Sequence, residues 1–317
     1  MPEPVRHFQR LKRVRYEWRT DPALSWAEVA ELMRESPQAL AVVNIKKDAL
    51  ALLDALEDPQ ALHLSTLLCG THRRQVIEEV KRRLAAQEPC RLVATQVVEA
   101  GVDLDFPLVL RALGPLDSII QAAGRCNREG KMQGLGRVIV FAPAEGGMPQ
   151  SAFYKVGTSA TVTLRRSAEL EGVETDLDDP VSADRYFRHL YETLKGDLDR
   201  KDIQDLRARL SYTEVARKFQ MIDGETEGLV VTQYGSEEER QGVRNVLDRL
   251  RQGGPDARSL LRQLQPYIVS VYRGELARFH RESLVAELRP GLWEWMGGYD
   301  SRRGLTAETL STETLVV

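Results

Sequence analysis

Short apolar runs alternate with charged, amphipathic segments between about residues 39 and 142 of this chain. Runs such as 39–43 and 108–112 are typical of strands that are buried on both faces of a sheet. The segment 73–86 between two such runs carries its apolar residues Val76, Val80 and Leu84 at helical spacing. This strand–helix rhythm predicts an α/β domain, a parallel sheet with helices on both faces.

The rhythm changes beyond residue 142, which indicates a second domain. Residues 143–158 are rich in Gly, Pro and Ser and predict a linker. Helices are then predicted over 183–194, 201–218 and 237–251, with strands at 228–234 and 267–272. We therefore expect a first domain at 1–145, a linker at 146–182, and a smaller mixed α+β, mostly helical C-terminal domain at 183–317.

Composition limits the possible functions. The 317 residues include 42% hydrophobic and 29% charged residues, so a folded chain is expected. The net charge of -3 argues against a protein that coats nucleic acid over its whole surface, so such contacts have to be local. No apolar run is long enough to predict a membrane span. The three cysteines lack metal-ligand spacing and favour a reducing cytoplasm, and no metal site is predicted.

The strongest motif is Gln-Ala-Ala-Gly-Arg-Cys-Asn-Arg-Glu-Gly at residues 121–130. If the preceding helix continues through it, Arg125 and Arg128 are three residues apart and project from one face. Two guanidinium groups held in this way suit a triphosphate, because each combines a permanent charge with a planar fork of donors. An arginine finger acts in this manner on a transferred phosphoryl group. The alternative is a pair of surface arginines on a solvated helix.

A second motif, residues 94–106, follows the predicted strand at 92–95. Thr95 lies at the carboxyl end of that strand, where ligands bind in parallel sheets, and it is suited to a nucleic-acid phosphate. Gly101 permits a close backbone approach. The Asp103 carboxylate is suited either to accept a hydrogen bond from a ribose hydroxyl or to pair with an arginine.

The two segments together resemble motifs V and VI of superfamily 2 helicases. Their full sequences are similar to those of the helicase–nuclease of type I CRISPR antiviral systems. These sequences are Thr-Gln-Val-Val-Glu-Ala-Gly-Val-Asp and, further along the chain, Gln-Ala-Ala-Gly-Arg-Cys-Asn-Arg-Glu-Gly. Residues 42–49 resemble the family's motif IV, with Ile45 where the family usually has Thr. Residues 63–69 and 72–74 resemble its next nucleic-acid-facing motif. The resemblance implies a second RecA-like domain followed by the family's C-terminal domain.

The resemblance also implies site residues. The implied residues are Arg125 and Arg128 as catalytic groups, Gln121, Gly101 and Asp103 at ATP, and Thr95, Asn44, Thr66 and Arg73 at DNA.

Parts of a complete helicase are not present in this sequence. It contains no Gly-x-x-x-x-Gly-Lys-Ser/Thr loop, no Asp-Glu-x-His segment and no His-Asp pair. The resemblance therefore implies that ATP and Mg²⁺ are bound mainly by a separate N-terminal half with the RecA-like and HD nuclease domains. We expect the chain to be inactive as an ATPase without that half. The other implied partners are single-stranded DNA and the CRISPR surveillance complex of the Cascade type.

Two alternative hypotheses stay open. The chain is either part of a motor or a non-enzymatic docking or strand-binding module of the surveillance complex, and a superfamily 2 helicase outside CRISPR systems is a further competitor. Phosphate contacts of a binding module would come from basic residues, namely Arg6, Arg10, Lys12, Arg13, Arg15, Arg73, Arg74, Lys81, Arg82 and Arg83. For the helix at 73–86, a solvated face with i,i+4 pairs is the competing interpretation. Trp293, Trp295 and Tyr299 are suited to base stacking or to core packing.

Overall fold

A six-stranded parallel sheet forms the first part of the computed structural model, which describes residues 12–99, 101–172, 177, 179–195, 198–199, 201–219, 226–253 and 256–309. Arg6 and Arg10 lie outside the described residues. The strands are β1 (Val14–Leu24), β2 (Gln38–Val42), β3 (Leu62–Leu64), β4 (Cys90–Ala94), β5 (Leu108–Ala112) and β6 (Gly136–Pro143). Their order across the sheet is β1-β6-β5-β2-β4-β3, and every neighbouring pair is parallel.

Helices cover both faces of this sheet. They are α1 (Trp26–Arg34), α2 (Lys46–Ala55), α3 (Gly70–Ala85) and α4 (Leu116–Ala123). One core contains Met33 of α1 and Leu52 of α2. The core on the opposite face contains Val80 of α3 and Ile119 of α4. The predicted α/β fold is therefore confirmed.

Local signals account for the ends of several elements. Ser25 and Glu28 form a capping box at the start of α1, where the Ser25 hydroxyl accepts the Glu28 N–H and the Glu28 carboxylate accepts the Ser25 N–H. β3 is a short strand of three residues. It ends because the Ser65 hydroxyl accepts the Leu67 N–H at 3.1 Å, which turns the chain out of the sheet.

The expected linker is largely helical, which corrects that prediction. Helix α5 (Ala152–Leu170) lies inside the segment 146–182, and α6 (Pro180–Leu194) follows it. Leu164 of α5 and Leu190 of α6 are buried in the same core as α3 and α4. The Gly- and Pro-rich composition applies only as far as Ser151, the N-cap of α5. Both helices therefore pack as part of the first layered unit.

The C-terminal part is mixed α+β, as predicted. Its helices are α7 (Ile203–Ala208), α8 (Tyr212–Lys218), α9 (Glu237–Gln252), α10 (Ala257–Leu264) and α11 (Arg273–Arg281). A mixed sheet contains β7 (Thr226–Val230), β8 (Ile268–Tyr272), β9 (Val285–Arg289) and β10 (Leu292–Trp295), and a separate hairpin contains β11 (Gly297–Asp300) and β12 (Gly304–Thr309). Single-turn 3₁₀ helices occur at Gln96–Val98 and Gln265–Tyr267. One helix was predicted over 201–218, but left-handed Leu210 (φ 58°) divides it in two.

The β11–β12 hairpin docks against the loop that follows β3. The Leu305 N–H donates to the Leu67 carbonyl at 3.1 Å, and the Cys69 N–H donates to the Tyr299 hydroxyl at 3.0 Å. Ion pairs of Lys46 with Glu275 and of Asp54 with Arg303 join α2 to the C-terminal part. The two parts are therefore packed directly on one another. Within the described ranges, no helix is both long and apolar enough to cross a membrane.

Candidate functional site

The two sequence motifs lie side by side. The Phe106 N–H donates to the Arg125 carbonyl at 2.9 Å, and the Asn127 N–H donates to the Phe106 carbonyl at 3.0 Å. Phe106 and Cys126 thus form a short β-bridge just before β5. Residues that were predicted to share one site are brought together by backbone hydrogen bonds.

Arg125 is directed into the protein. Its side chain donates from Nε to the Val98 carbonyl at 2.8 Å and from Nη2 to the Glu99 carbonyl at 2.6 Å. The residue is only 7% exposed, and burial together with the neighbouring Arg128 charge lowers its pKa. Because the guanidinium donates to two backbone carbonyls, it holds the turn that follows β4.

Arg128 is directed outward. Its Nε lies 2.5 Å from the Asp103 carboxylate, and the two side chains are 41% and 70% exposed. Its backbone N–H donates to Asp105 at 2.7 Å, and the Glu129 N–H donates to the same carboxylate. Asp105 therefore fixes the loop that presents Arg128, a role that sequence reasoning missed.

The expectation that both arginines share one helical face is wrong. Helix α4 ends at Ala123, with Gly124 as its C-cap. The Arg125 N–H closes a tight turn on Ala122, and Asn127 has a left-handed φ of 44°. Because the helix stops before the first arginine, the two guanidinium groups diverge.

Two of the remaining predicted residues border this region. Gly101 is exposed and has a φ of +74°, which favours glycine at that position. Among the residues that the structure describes, none outside its chain neighbours lies within 4 Å of where its Cβ would be. Gln121 is exposed on the last turn of α4, shortly before Arg125.

Comparisons with known proteins show which family the motif-bearing segment is similar to. Residues 35–131 match the family described as CRISPR-associated nuclease/helicase Cas3, C-terminal. Residues 35–131 are a Cas3-like C-terminal domain. The CRISPR-associated nuclease/helicase Cas3 of Haloferax volcanii is 45% identical over 74 residues, which are 23% of this chain and 8% of that protein.

The fold of the whole chain is also similar to Cas3 structures. The crystal structure of T. fusca Cas3-ATP superposes with a TM-score of 0.57 at 15% identity, over 93% of this chain and 42% of that chain. A chain of a CRISPR RNA-guided surveillance complex in a pre-nicking state superposes with a TM-score of 0.56 at 16% identity, over 93% of this chain and 44% of that one. The chain therefore spans less than half of the length of these two chains.

Asn44 and Thr95 of the Cas3-like domain lie at the carboxyl ends of β2 and β4, as predicted, but both are buried. The Asn44 amide is already bonded inside the protein, where its Nδ2 donates to the Leu113 carbonyl at 2.9 Å. Its Oδ1 accepts hydrogen bonds from Arg111 and Tyr154. Neither predicted side chain is presented to solvent.

Thr66 and Arg73 are more accessible. Thr66 is exposed in the loop after β3, and Arg73 is half-buried at the start of α3. Arg73 lines a cleft of about 500 Å³ with other residues of α3 and with the ends of β3 and β4. The lining residues are Leu64, Gly70, Arg73, Arg74, Ile77, Glu78, Lys81 and Val97.

The basic helix α3 thus has two different faces. Arg82 and Arg83 pair with Glu79 at 2.8 and 2.6 Å, which supports the interpretation of a solvated face for that end. Arg73, Arg74 and Lys81 instead border the cleft. This basic rim, which also includes the Glu78 carboxylate, lines the same cleft as the apolar Leu64, Ile77 and Val97. The combination of basic and apolar side chains is suited to the backbone and bases of a single nucleic-acid strand.

The tryptophans of the C-terminal part pack inside the protein. Trp295 is 1% exposed and its indole N–H donates to the Gly298 carbonyl at 2.8 Å. The Trp293 indole N–H donates to the Glu227 carboxylate. Tyr299 is half-buried against His72. For these three aromatic residues, the structure supports core packing and not base stacking.

Sequence reasoning also missed Arg111, the most deeply buried charge of the Cas3-like domain. It lies on β5, is 0% exposed, and pairs with the buried carboxylate of Glu99 at 3.1 Å. Burial raises the pKa of Glu99, although the Arg111 charge opposes that effect. The available signal was an arginine within an otherwise apolar strand, because a charge in that position requires a buried partner.

Proposed function

We propose that this chain is the second RecA-like domain and C-terminal domain of an ATP-dependent single-stranded-DNA translocase of CRISPR defence. Arg128 acts on ATP that is bound, together with Mg²⁺, by a separate N-terminal RecA-like half. Gly101, Asp103 and Gln121 border the nucleotide. The supporting observation is the paired arrangement of the two motif segments, which leaves Arg128 accessible beside Asp103.

The ion pair between Arg128 and Asp103 is suited to exchange. Exposed pairs contribute about 0–1 kcal/mol, so a triphosphate can displace the carboxylate at low cost. An arginine delivered in this way neutralises charge that develops on the transferred phosphoryl group. Arg125 has a different role in this proposal, because its donors are engaged by the carbonyls of Val98 and Glu99. It holds the turn in shape and does not reach ATP directly.

Single-stranded DNA occupies the carboxyl ends of β3 and β4 in this proposal. Thr66 and Arg73 contact its phosphates, and the basic rim of the cleft extends that surface. Asn44 and Thr95 support the same edge from inside the protein. The partners are the N-terminal RecA-like and nuclease half and a surveillance complex of the Cascade type, which the similarity to a chain of such a complex supports.

The decisive experiment measures DNA-stimulated ATP hydrolysis after the chain is mixed with a separately produced N-terminal RecA-like half. We expect no hydrolysis by the chain alone and restored hydrolysis in the mixture. Arg128→Ala lowers kcat of the mixture by a factor on the order of 10³, as for other arginine fingers. Arg188→Ala, a change at an exposed ion pair on α6, is the matched control and leaves kcat unchanged.

A docking or strand-binding module is the second candidate function, and the basic cleft beside α3 is the observation that favours it. Under this alternative, Arg128→Ala changes neither DNA binding nor binding to the surveillance complex, and the mixture shows no DNA-stimulated hydrolysis. That pair of results would reject the motor and retain the module.

A further inference from the structure

Arg111 is the centre of a buried polar network under the proposed nucleotide edge. Its Nη1 donates to the Asn44 Oδ1 and to the Ala112 carbonyl, both at 2.7 Å. Its Nη2 donates to the Tyr154 hydroxyl at 3.1 Å. The network joins the ends of β2 and β5 to helix α5, three elements that are distant in sequence.

The same network holds the turn that follows β4. The Glu99 carboxylate pairs with Arg111 at 3.1 Å, while the Glu99 carbonyl accepts from Arg125 at 2.6 Å. The Gln96 amide donates to the Asn44 carbonyl at 2.9 Å. Arg125 therefore holds the turn through its backbone, while Arg111 and Asn44 hold it through the side chains of Glu99 and Gln96. Glu99 lies two residues before Gly101.

Tyr154 extends the network to α5. Its hydroxyl donates to the Asn44 Oδ1 at 2.6 Å and accepts from Arg111. Gly114 makes room for this hydroxyl, because a Cβ at that position would lie 2.6 Å from the Tyr154 oxygen. Helix α5 therefore contacts the Arg111 Nη2, which is also the atom that pairs with Glu99.

A buried ion pair of this kind contributes little net stability, since desolvation offsets the attraction between the charges. Apolar side chains of similar volume would fill the same space at no net cost. The hydrogen bonds that join Arg111, Asn44 and Tyr154 do, however, restrict these side chains to one arrangement, although the Arg111 Nε and the Glu99 Oε1 are buried without a hydrogen-bond partner. The network is therefore better explained by the arrangement that it imposes on nearby residues than by a contribution to the free energy of unfolding.

We propose that Arg111 and Tyr154 are positioning residues, which set the turn at 96–99 and thereby the places of Gly101 and Asp103 relative to ATP. Helix α5 is coupled to the nucleotide edge through the Tyr154 hydroxyl. This inference rests on the proposed function for its consequence in catalysis, but the positioning of the turn is measurable in the chain by itself.

Tyr154→Phe tests the inference with the loss of one oxygen atom, and Tyr191→Phe on the exposed face of α6 is the matched control. The readout is amide hydrogen exchange of Val98 and Glu99, whose N–H groups close the turn on Thr95 and Gln96. We expect exchange to accelerate on the order of fivefold, as expected for the loss of about one net hydrogen bond. The Val231 amide, bonded to the Tyr267 carbonyl in the C-terminal sheet, serves as the reference and stays unchanged.

Glu99→Gln is the second variant, since the amide preserves the shape of the side chain, removes its charge and replaces one acceptor oxygen beside Arg111 with an NH2 donor. We expect a similar local acceleration with an unchanged reference amide. In the mixture with the N-terminal half, both variants lower kcat several-fold and leave the apparent affinity for DNA unchanged.

The outcomes separate the two proposals. Unchanged exchange at Val98 and Glu99 in both variants overturns the positioning inference, whatever the ATPase measurement gives. An equal acceleration at Val231 also overturns it, because the effect would then be general. A third outcome is accelerated exchange at Val98 and Glu99 when the mixture of the unaltered chain with the N-terminal half hydrolyses no ATP. That outcome supports the positioning of the turn and overturns the proposed motor function.

Discussion

Individual arginines of the Cas3-like domain differ mainly in what their guanidinium groups face. Arg111 and Arg125 are buried among acceptors that belong to the protein, whereas Arg128 is exposed beside the Asp103 carboxylate and makes one longer hydrogen bond, of 3.3 Å, to the Gly124 carbonyl. A buried guanidinium is costly to free, while an exposed one exchanges partners readily. Because of this contrast, our proposal gives Arg128 the contact with ATP and gives Arg111 and Arg125 structural roles.

Asp105→Ala provides a test at the residue scale. Asp105 accepts the N–H groups of Arg128 and Glu129, so its removal frees two backbone donors in the loop that presents Arg128. We expect the free energy of unfolding to fall by about 1–2 kcal/mol, as measured by urea denaturation. Asp103→Ala removes only an exposed ion pair and is the control, with a loss of at most about 1 kcal/mol. Equal losses in the two variants would contradict the role given to Asp105.

Helices and strands of the chain follow local signals closely, but some of their ends depend on single residues. The capping box at the start of α1 follows from Ser25 and Glu28, which are three residues apart in the sequence. The end of β3 depends on the Ser65 side chain, and the break between α7 and α8 depends on left-handed Leu210. These two interruptions carry weak sequence signals, because serine and leucine also occur inside strands and helices.

Ser25→Ala tests the helix cap. The change removes the acceptor of the Glu28 N–H at the first turn of α1. We expect a loss of about 1 kcal/mol in the free energy of unfolding, measured by thermal or urea denaturation. Ser167→Ala, at an exposed interior position of α5, is the control and is neutral or slightly stabilising, because alanine has the higher helix propensity. A neutral result for Ser25→Ala would show that the cap is not needed.

At the scale of the whole molecule, the C-terminal part is joined to the first sheet through buried histidines. His72 stacks on Tyr234, with ring centroids 4.4 Å apart, and its Nδ1 lies 2.9 Å from the Tyr299 hydroxyl. The His63 Nδ1 lies 3.2 Å from the Arg302 carbonyl. Burial lowers the pKa of both histidines to about 4. The interface therefore requires neutral imidazoles.

A pH dependence follows with a defined sign. In the unfolded chain these histidines titrate near pH 6.5, so between about pH 6.5 and pH 4 the unfolded state binds more protons than the folded state. The free energy of unfolding therefore falls as the pH drops through that window, by up to about 3 kcal/mol for each histidine. His72→Gln removes one titrating group, so we expect a shallower decline in urea denaturation series.

Exposed His189 supplies the control for this series. His189→Gln, on the solvent face of α6, leaves the slope unchanged. An identical slope for His72→Gln and the unaltered chain would contradict the link between His72 and the interface.

The sequence by itself determined the parallel α/β layer, the mixed C-terminal part and the pairing of the two motifs, because buried strands and amphipathic helices are encoded in neighbouring residues. The tertiary structure alone decided which arginine is buried, that Asn44 faces inward, and that α5 belongs to the packed unit. These features depend on acceptors far along the chain. Arg125 meets Val98 across 27 residues, Arg111 meets Asn44 across 67, and Tyr154 meets Asn44 across 110. The direction of a long polar side chain depends on the hydrogen-bond partner that the tertiary structure places near it. Local periodicity of the sequence does not indicate which residue that partner is.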